Sequence, residues 1–333
     1  MGARLDRLVS YGAAAALIAS LMPLAARHGW AFDLATHFRV QYVVVDTLLA
    51  FACVLQRKPI GCLALAACAV FSARPVLPYV AFWHASAATT IAYGPTIKVM
   101  SANVLFANHS ATRLLEIVRA ESPDAVLLLE YTPEWAQKVD ELRTAYPHHI
   151  EIPADRAFGI ALFSRYELDA ATAFALEEKP VIEARLRTPS GPLELVGVHL
   201  FSPTSPWRGE MRNRQLEELA ARVAGVSGAL AVVGDFNITP YSPYFEDWLA
   251  RTGLTDTRRG RAVSPSWPVQ LPLIGIPIDH CAVSHEVTVV AHRRLPAFGS
   301  DHYPILVELA LAQPAVPISA ESSATRGPGA VRE

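Results

Sequence analysis

Three apolar runs crowd the first 83 residues of this chain, and they decide how the rest can be arranged. Leu8 to Ala26 is almost uninterrupted apolar sequence. Val40 to Leu55 is broken only by Gln41, Asp46 and Thr47, and Pro59 to Phe71 continues past Arg74 to Trp83. A spanning helix needs about 20 mostly apolar residues. The first run nearly meets that length. The second and third are shorter and each carries a charge, Asp46 or Arg74. Hydrophobic residues make up 52% of the 333, high for a soluble enzyme. The expectation is a multi-pass membrane anchor of about three transmembrane helices over residues 1–83. A signal peptide over residues 1–26 is the rival, with Arg4 and Arg7 as its basic start and Leu24-Ala25-Ala26 as a cleavage-like end. Two more apolar runs directly behind it favour spans.

Orientation follows from the basic residues in the short loops. Arg4 and Arg7 precede the first run, and Arg57 and Lys58 separate the second from the third. Under the positive-inside rule both groups face the cytoplasm, although Arg27 and Arg39 work against the bias. Three spans then leave the C-terminal part extracytoplasmic. Residues 84–96 read as a linker, and residues 313–333, rich in Pro, Ser, Ala and Gly, as a disordered tail. Cys53, Cys62, Cys68 and Cys281 show no metal-ligand spacing and read as small buried apolar residues.

From Ile97 the pattern changes. Short β-like runs alternate with helical ones: Ile97–Ser101, Thr112–Ala120, Ala125–Leu129, Gly159–Phe163, Val181–Arg187, Leu193–Val198, Met211–Val223, Leu230–Val233, Ile278–Val283, Val287–Val290 and Ile305–Leu309. Consecutive strands without helices over 159–198 imply antiparallel pairs inside an α/β layered domain. Residues 96–312 carry 20 Lys/Arg against 26 Asp/Glu. An acidic domain is a poor electrostatic partner for a polyanion such as DNA.

Polar residues close these apolar strands, where α/β sheets place ligand sites. Asn103 ends Val-Met-Ser-Ala-Asn, Glu130 ends Ala-Val-Leu-Leu-Leu-Glu, and His199 ends Leu-Val-Gly-Val-His. Asp235 and Asn237 lie in Gly-Asp-Phe-Asn, Asp279 in Ile-Asp-His, and Asp301 with His302 in Ser-Asp-His-Tyr-Pro. Singly, each has an ordinary reading as a strand end, turn, cap or satisfied core histidine. Together they form a recurring set of carboxylates, amides and imidazoles. Arg208, Arg212 and Arg214 read as a solvated helix face with local ion pairs.

These segments, in this order, resemble the endonuclease/exonuclease/phosphatase (DNase I-like) family over residues 96–312. Gly234-Asp235-Phe236-Asn237 and Ser300-Asp301-His302 are the most specific matches; Arg214-Gln215 and Pro265-Ser266-Trp267 are secondary ones. His280 departs from the aromatic residue common at that place, and the domain is compact. The resemblance implies a four-layer α/β sandwich with two packed mixed β-sheets. It implies a metal-dependent phosphoesterase using Mg²⁺ or Mn²⁺, with Asn103, Glu130 and Asp301 as metal ligands. His199, Asp235, Asn237, Asp279 and His302 are the implied catalytic groups, with Asp235 and His302 rival general bases. A tethered, acidic domain points to a lipid or lipid-linked phosphate at the membrane surface. A nuclease acting on DNA or RNA, and a non-catalytic membrane scaffold, are the alternatives.

Overall fold

The computed structural model describes residues 2–80, 95–261 and 263–311. Most of the expected linker and all of the expected tail lie outside the described residues. The N-terminal part contains α1 (Gly2–Leu21), extended by a 3-10 turn to His28, then α2 (Trp30–Thr36), α3 (Arg39–Leu55) and α4 (Pro59–Ala73). Ala13, Ala16, Ala50, Cys53 and Leu65 form the contact between α1, α3 and α4. Small residues allow the backbones to approach closely. Asp46, the charge inside the second run, is buried and accepts a hydrogen bond from Ser20 Oγ at 2.7 Å.

One helix, Arg4–His28, is long and apolar enough to cross a membrane. The expectation of three such helices is met only in part. The second run continues from α2 across a 71° bend, so the pair is either one broken span or a re-entrant turn. The third run gives a helix of only 15 residues. Large apolar side chains remain uncovered on these helices, among them Leu8, Ile18, Leu48, Phe51, Ile60 and Val70.

The rest is built from two six-stranded sheets. The first takes β1 (Thr96–Asn103), β2 (Ala125–Leu129), β3 (His148–Ile152), β4 (Ile160–Ser164), β11 (Val287–Arg294) and β12 (Ile305–Leu311) in the order β11-β12-β1-β2-β4-β3. The second takes β5 (Leu168–Leu176), β6 (Lys179–Thr188), β7 (Gly191–His199), β8 (Leu230–Asp235), β9 (Thr255–Asp256) and β10 (Asp279–Val283) in the order β5-β6-β7-β8-β10-β9. Each has one parallel pair, β1 with β2 and β7 with β8, so both sheets are mixed.

The period of two along each strand explains the layering. Ala125, Leu127 and Leu129 of β2 face the inner core with Ile182, Leu195, Ala231 and Val233 of the other sheet. Val126 and Leu128 face outward onto α5 (Thr112–Glu121), α6 (Pro133–Lys138) and α7 (Asp140–Ala145). On the opposite side Val196, Val198 and Val232 meet α8 (Pro206–Val223) and α9 (Pro243–Thr252). The layers therefore run helix, sheet, sheet, helix. Both faces of the central strands are buried, which is why they read as near-continuous apolar runs.

Candidate active site

Strand register brings the scattered polar residues together. β1 and β2 are parallel with Asn103 opposite Leu129, so Asn103 and Glu130 emerge side by side. In the second sheet His199 is paired with Asp235, and Asp235 with Asp279. Gly234 permits this: its φ of +144° is unsuited to other residues, and a Cβ there would lie 1.9 Å from the Val198 carbonyl oxygen. Glu130 and Asn237 hold left-handed φ values of 59° and 51° without being glycine. Such strain persists only where surrounding structure enforces it.

Asp235 is the hub. Its Oδ2 accepts from Asn103 Nδ2 at 3.2 Å and lies 3.6 Å from His199 Nε2 and 3.7 Å from His302 Nε2. Its Oδ1 accepts from the Asn237 backbone N–H at 2.9 Å. Asn103 Nδ2 also donates to Glu130 Oε1 at 3.2 Å, and Glu130 Oε2 accepts from Phe106 N–H at 2.9 Å. Asp279 Oδ2 accepts from His302 Nδ1 at 2.9 Å, which sets the ring's orientation. Ser266 Oγ accepts from the backbone N–H groups of Ile278 and Asp279. Trp267 Nε1 donates to Asp301 Oδ2 at 2.9 Å. All eight residues singled out in the sequence thus lie in one connected region. Asn237 Nδ2 donates to Leu200 O at 3.0 Å.

Burial sets the electrostatics. It pushes the Asp235 carboxyl up to about 7, helped by the charge of Asp279. Burial works against charge on His302, but Asp279 and Asp235 outweigh it and raise the imidazole to about 10. His199 is driven well below the usual histidine range by burial and by the charge of Lys179.

The donor chemistry fits a hard divalent cation. Glu130 and Asp301 are carboxylates that line the same cavity as Asp235 and His302. Asp235, Asp279 and His302 offer a second cluster, with ligand atoms within 4.8 Å of one another.

Several residues of the site carry no sequence signal. Lys179 is buried at the start of β6, with Nζ 2.5 Å from Ala157 O and 3.5 Å from His199 Nδ1, over the Phe158 ring. Burial lowers it to about 8, against the pull of Glu130 and Asp235. Of the three helix arginines, only Arg214 matches the solvated reading, facing Glu177 at 3.8 Å. Arg208 enters the cavity wall. Arg212 is fully buried between Asp33 and the Asn237 carbonyl, a partner from the N-terminal part that local helix spacing could not reveal. His280 is a satisfied core histidine, bonded to Asp256 and to Ile238 O.

A cavity of about 410 Å³ lies over Glu130, His199, Asp235, Asn237 and His302. Its walls include Leu34, His37 and Phe38 from the N-terminal part, and Trp267, Ile276 and Ile278 from the loop before β10.

Residues 100–302 match the endonuclease/exonuclease/phosphatase family. Solved structures share the fold. An endonuclease/exonuclease/phosphatase from Beutenbergia cavernae DSM 12333 is 21% identical, with a TM-score of 0.56 over 66% of this chain and 72% of its own. Humanized D. rerio TDP2 is 16% identical, with a TM-score of 0.54 over 64% and 98%. The human Nocturnin catalytic domain with bound sulfate is 18% identical, with a TM-score of 0.54 over 66% and 96%. No curated protein matches the chain. The family match spans more than half of the residues and includes each of the clustered side chains, and the chain accordingly belongs to the endonuclease/exonuclease/phosphatase family of divalent-metal-dependent phosphoric ester hydrolases.

Proposed function

We propose that this enzyme hydrolyses a phosphate ester on an amphiphilic, lipid-linked substrate at a membrane surface. The observation that carries the reading is the composite cavity: Leu34 and Phe38, from the apolar N-terminal part, wall the space over the catalytic groups. An apolar chain has a surface to lie on there while its phosphate meets Asp235 and His302.

Glu130 and Asp301 are assigned the metal, Mg²⁺ or Mn²⁺, with Asn103 beside them. When bound, that ion neutralises phosphoryl charge. Asp235, with its raised carboxyl pKa, takes the proton of the attacking water. His302, protonated and held by Asp279, acts as a cationic clamp on a non-bridging oxygen. His199, kept neutral, donates a hydrogen bond, and Lys179 adds a second cation beside it. Asn237 shapes the loop through its backbone.

The same reading keeps α1, α3 and α4 as three membrane passes with the catalytic domain extracytoplasmic. Lys58 Nζ lies 2.7 Å from Asp6 Oδ1, so Arg57 and Lys58 share one end of the helical part with Arg4 and Arg7. Contacts with the catalytic domain come from the other end, through Arg27, Trp30, Asp33, His37 and Pro78. That division fits the positive-inside rule.

The test is turnover by the full chain in detergent with Mg²⁺ or Mn²⁺ on a lipid pyrophosphate, bis(p-nitrophenyl) phosphate and plasmid DNA. Lipid turnover abolished by EDTA is expected. Faster cleavage of the plasmid would hand the site to a nuclease function. No turnover of any substrate would favour a scaffold.

A further inference from the structure

We propose that α2 is part of the active site rather than a tether to it, and that Asp33 positions the catalytic loop through Arg212. This rests on the assignment of Asp235 and its loop as catalytic, not on the lipid substrate. The loop joining β8 to α9 leaves directly from Asp235 and carries Asn237, and the N-terminal part clamps it at three points. Asp33 Oδ2 accepts from Arg212 Nη2 at 2.5 Å, and Arg212 Nη1 donates to the Asn237 carbonyl at 3.0 Å. Asp33 Oδ1 accepts from Ser242 Oγ at 2.6 Å. His37 Nδ1 lies 3.0 Å from Thr239 Oγ1.

The chain of contacts is continuous from α2 to the catalytic hub. Asn237, whose carbonyl Arg212 holds, donates its backbone N–H to Asp235 Oδ1. Its left-handed φ of 51° needs outside support, and a buried guanidinium supplies it. Asp33 and Arg212 are both buried, so neither charge has a solvent substitute for the other.

A glycine in α8 marks the docking point. A Cβ on Gly209 would lie 2.7 Å from Cδ1 of Trp30, the first residue of α2. Trp30 Nε1 in turn donates to Pro203 O at 2.6 Å. Glycine inside a helix weakens it, so Gly209→Ala favours α8 itself while pushing α2 away. That separates catalytic positioning from plain stability.

The experiment uses the full chain in detergent with Mg²⁺ and bis(p-nitrophenyl) phosphate, with kcat normalised to the folded fraction from thermal melting. Gly209→Ala and Asp33→Asn are compared with Arg222→Ala, an exposed pair with Glu183. Both test variants are expected to lose kcat by about tenfold or more with KM changed by less than about twofold, while Arg222→Ala stays near wild type. If Asp33→Asn does not fold, Gly209→Ala decides. Normal kcat per folded molecule in Gly209→Ala overturns the proposal. Wild-type chain without turnover of bis(p-nitrophenyl) phosphate, the lipid pyrophosphate or plasmid DNA would sink the hydrolase assignment and this coupling together, whereas equal turnover in wild type and variants sinks the coupling alone.

Discussion

His302 Nδ1 stands 2.9 Å from Asp279 Oδ2, and both side chains are buried. The carboxylate orients the ring and helps keep His302 charged. Asp279→Asn preserves the shape but removes the charge. The imidazolium then loses its main counter-ion. Turnover of bis(p-nitrophenyl) phosphate is expected to fall about 10²–10³-fold, the scale of losing one preorganised contact to the transition state. A loss smaller than about tenfold would remove the pair from the mechanism.

Lys179 gives the site a pH-dependent cation. Burial brings its pKa down to about 8, so the ammonium is present below that pH and lost above it. If it holds substrate phosphate, kcat/KM of the wild type declines as pH rises through about 8. Lys179→Met is expected to run about 100-fold lower at pH 7, consistent with one charge-assisted contact, and to lack that decline. A pH–rate profile from 6.5 to 9.5 checks both features. An unchanged alkaline limb in the variant would assign the decline to another group.

The strand ends were legible because chemistry and periodicity coincide there. Asn103, Glu130, His199, Asp235 and Asp279 each terminate or begin an apolar run whose two faces are both buried. β5 was missed because Leu168–Leu176 is an edge strand with mostly exposed residues, so its Ala and Thr side chains make no alternating pattern. β3 and α9 leave as little signal, being short and mixed in composition. Arg212 and Lys179 are hidden in the sequence for a different reason. Their partners, Asp33 and the His199 region, are distant in sequence, and long-range burial leaves no local trace. Of the three apolar runs only the first gives a helix long enough to cross a membrane unaided, because the second is bent by 71° and α4, apolar throughout, stops at Ala73.

His292 should make the protein acid-sensitive outside the active site. It is buried beside Thr257 Oγ1 at 2.8 Å, and burial lowers its pKa to about 3. An unfolded histidine titrates near ~6.5. Between those values the unfolded chain binds the extra proton, so stability is complete above ~6.5 and drains as pH falls towards 3. At pH 5 the loss is about 2 kcal/mol. His292→Gln is expected to flatten this part of the stability curve, measured as urea midpoints from pH 7 to 5. An equally steep curve in the variant would place the acid sensitivity elsewhere.

Substrate choice should respond to the wall built by the N-terminal part. Leu34 and Phe38 are half-buried in the cavity lining, so each still has apolar surface to offer a ligand. Covering a side chain of this size contributes about 1.5–3 kcal/mol, and each 1.4 kcal/mol is tenfold in affinity. Phe38→Ala is therefore expected to lower the ratio of kcat/KM for a lipid pyrophosphate to that for bis(p-nitrophenyl) phosphate by about tenfold. Taking the ratio cancels any shared loss from disturbing α2, because both substrates use the same Asp235 and His302. The change should appear in KM for the amphiphile and not in its kcat, since a wall that binds the chain equally before and during reaction cannot speed the chemical step. A ratio that stays constant would mean the apolar chain lies elsewhere, and Leu34 with Phe38 would then serve only to pack α2 against the catalytic domain.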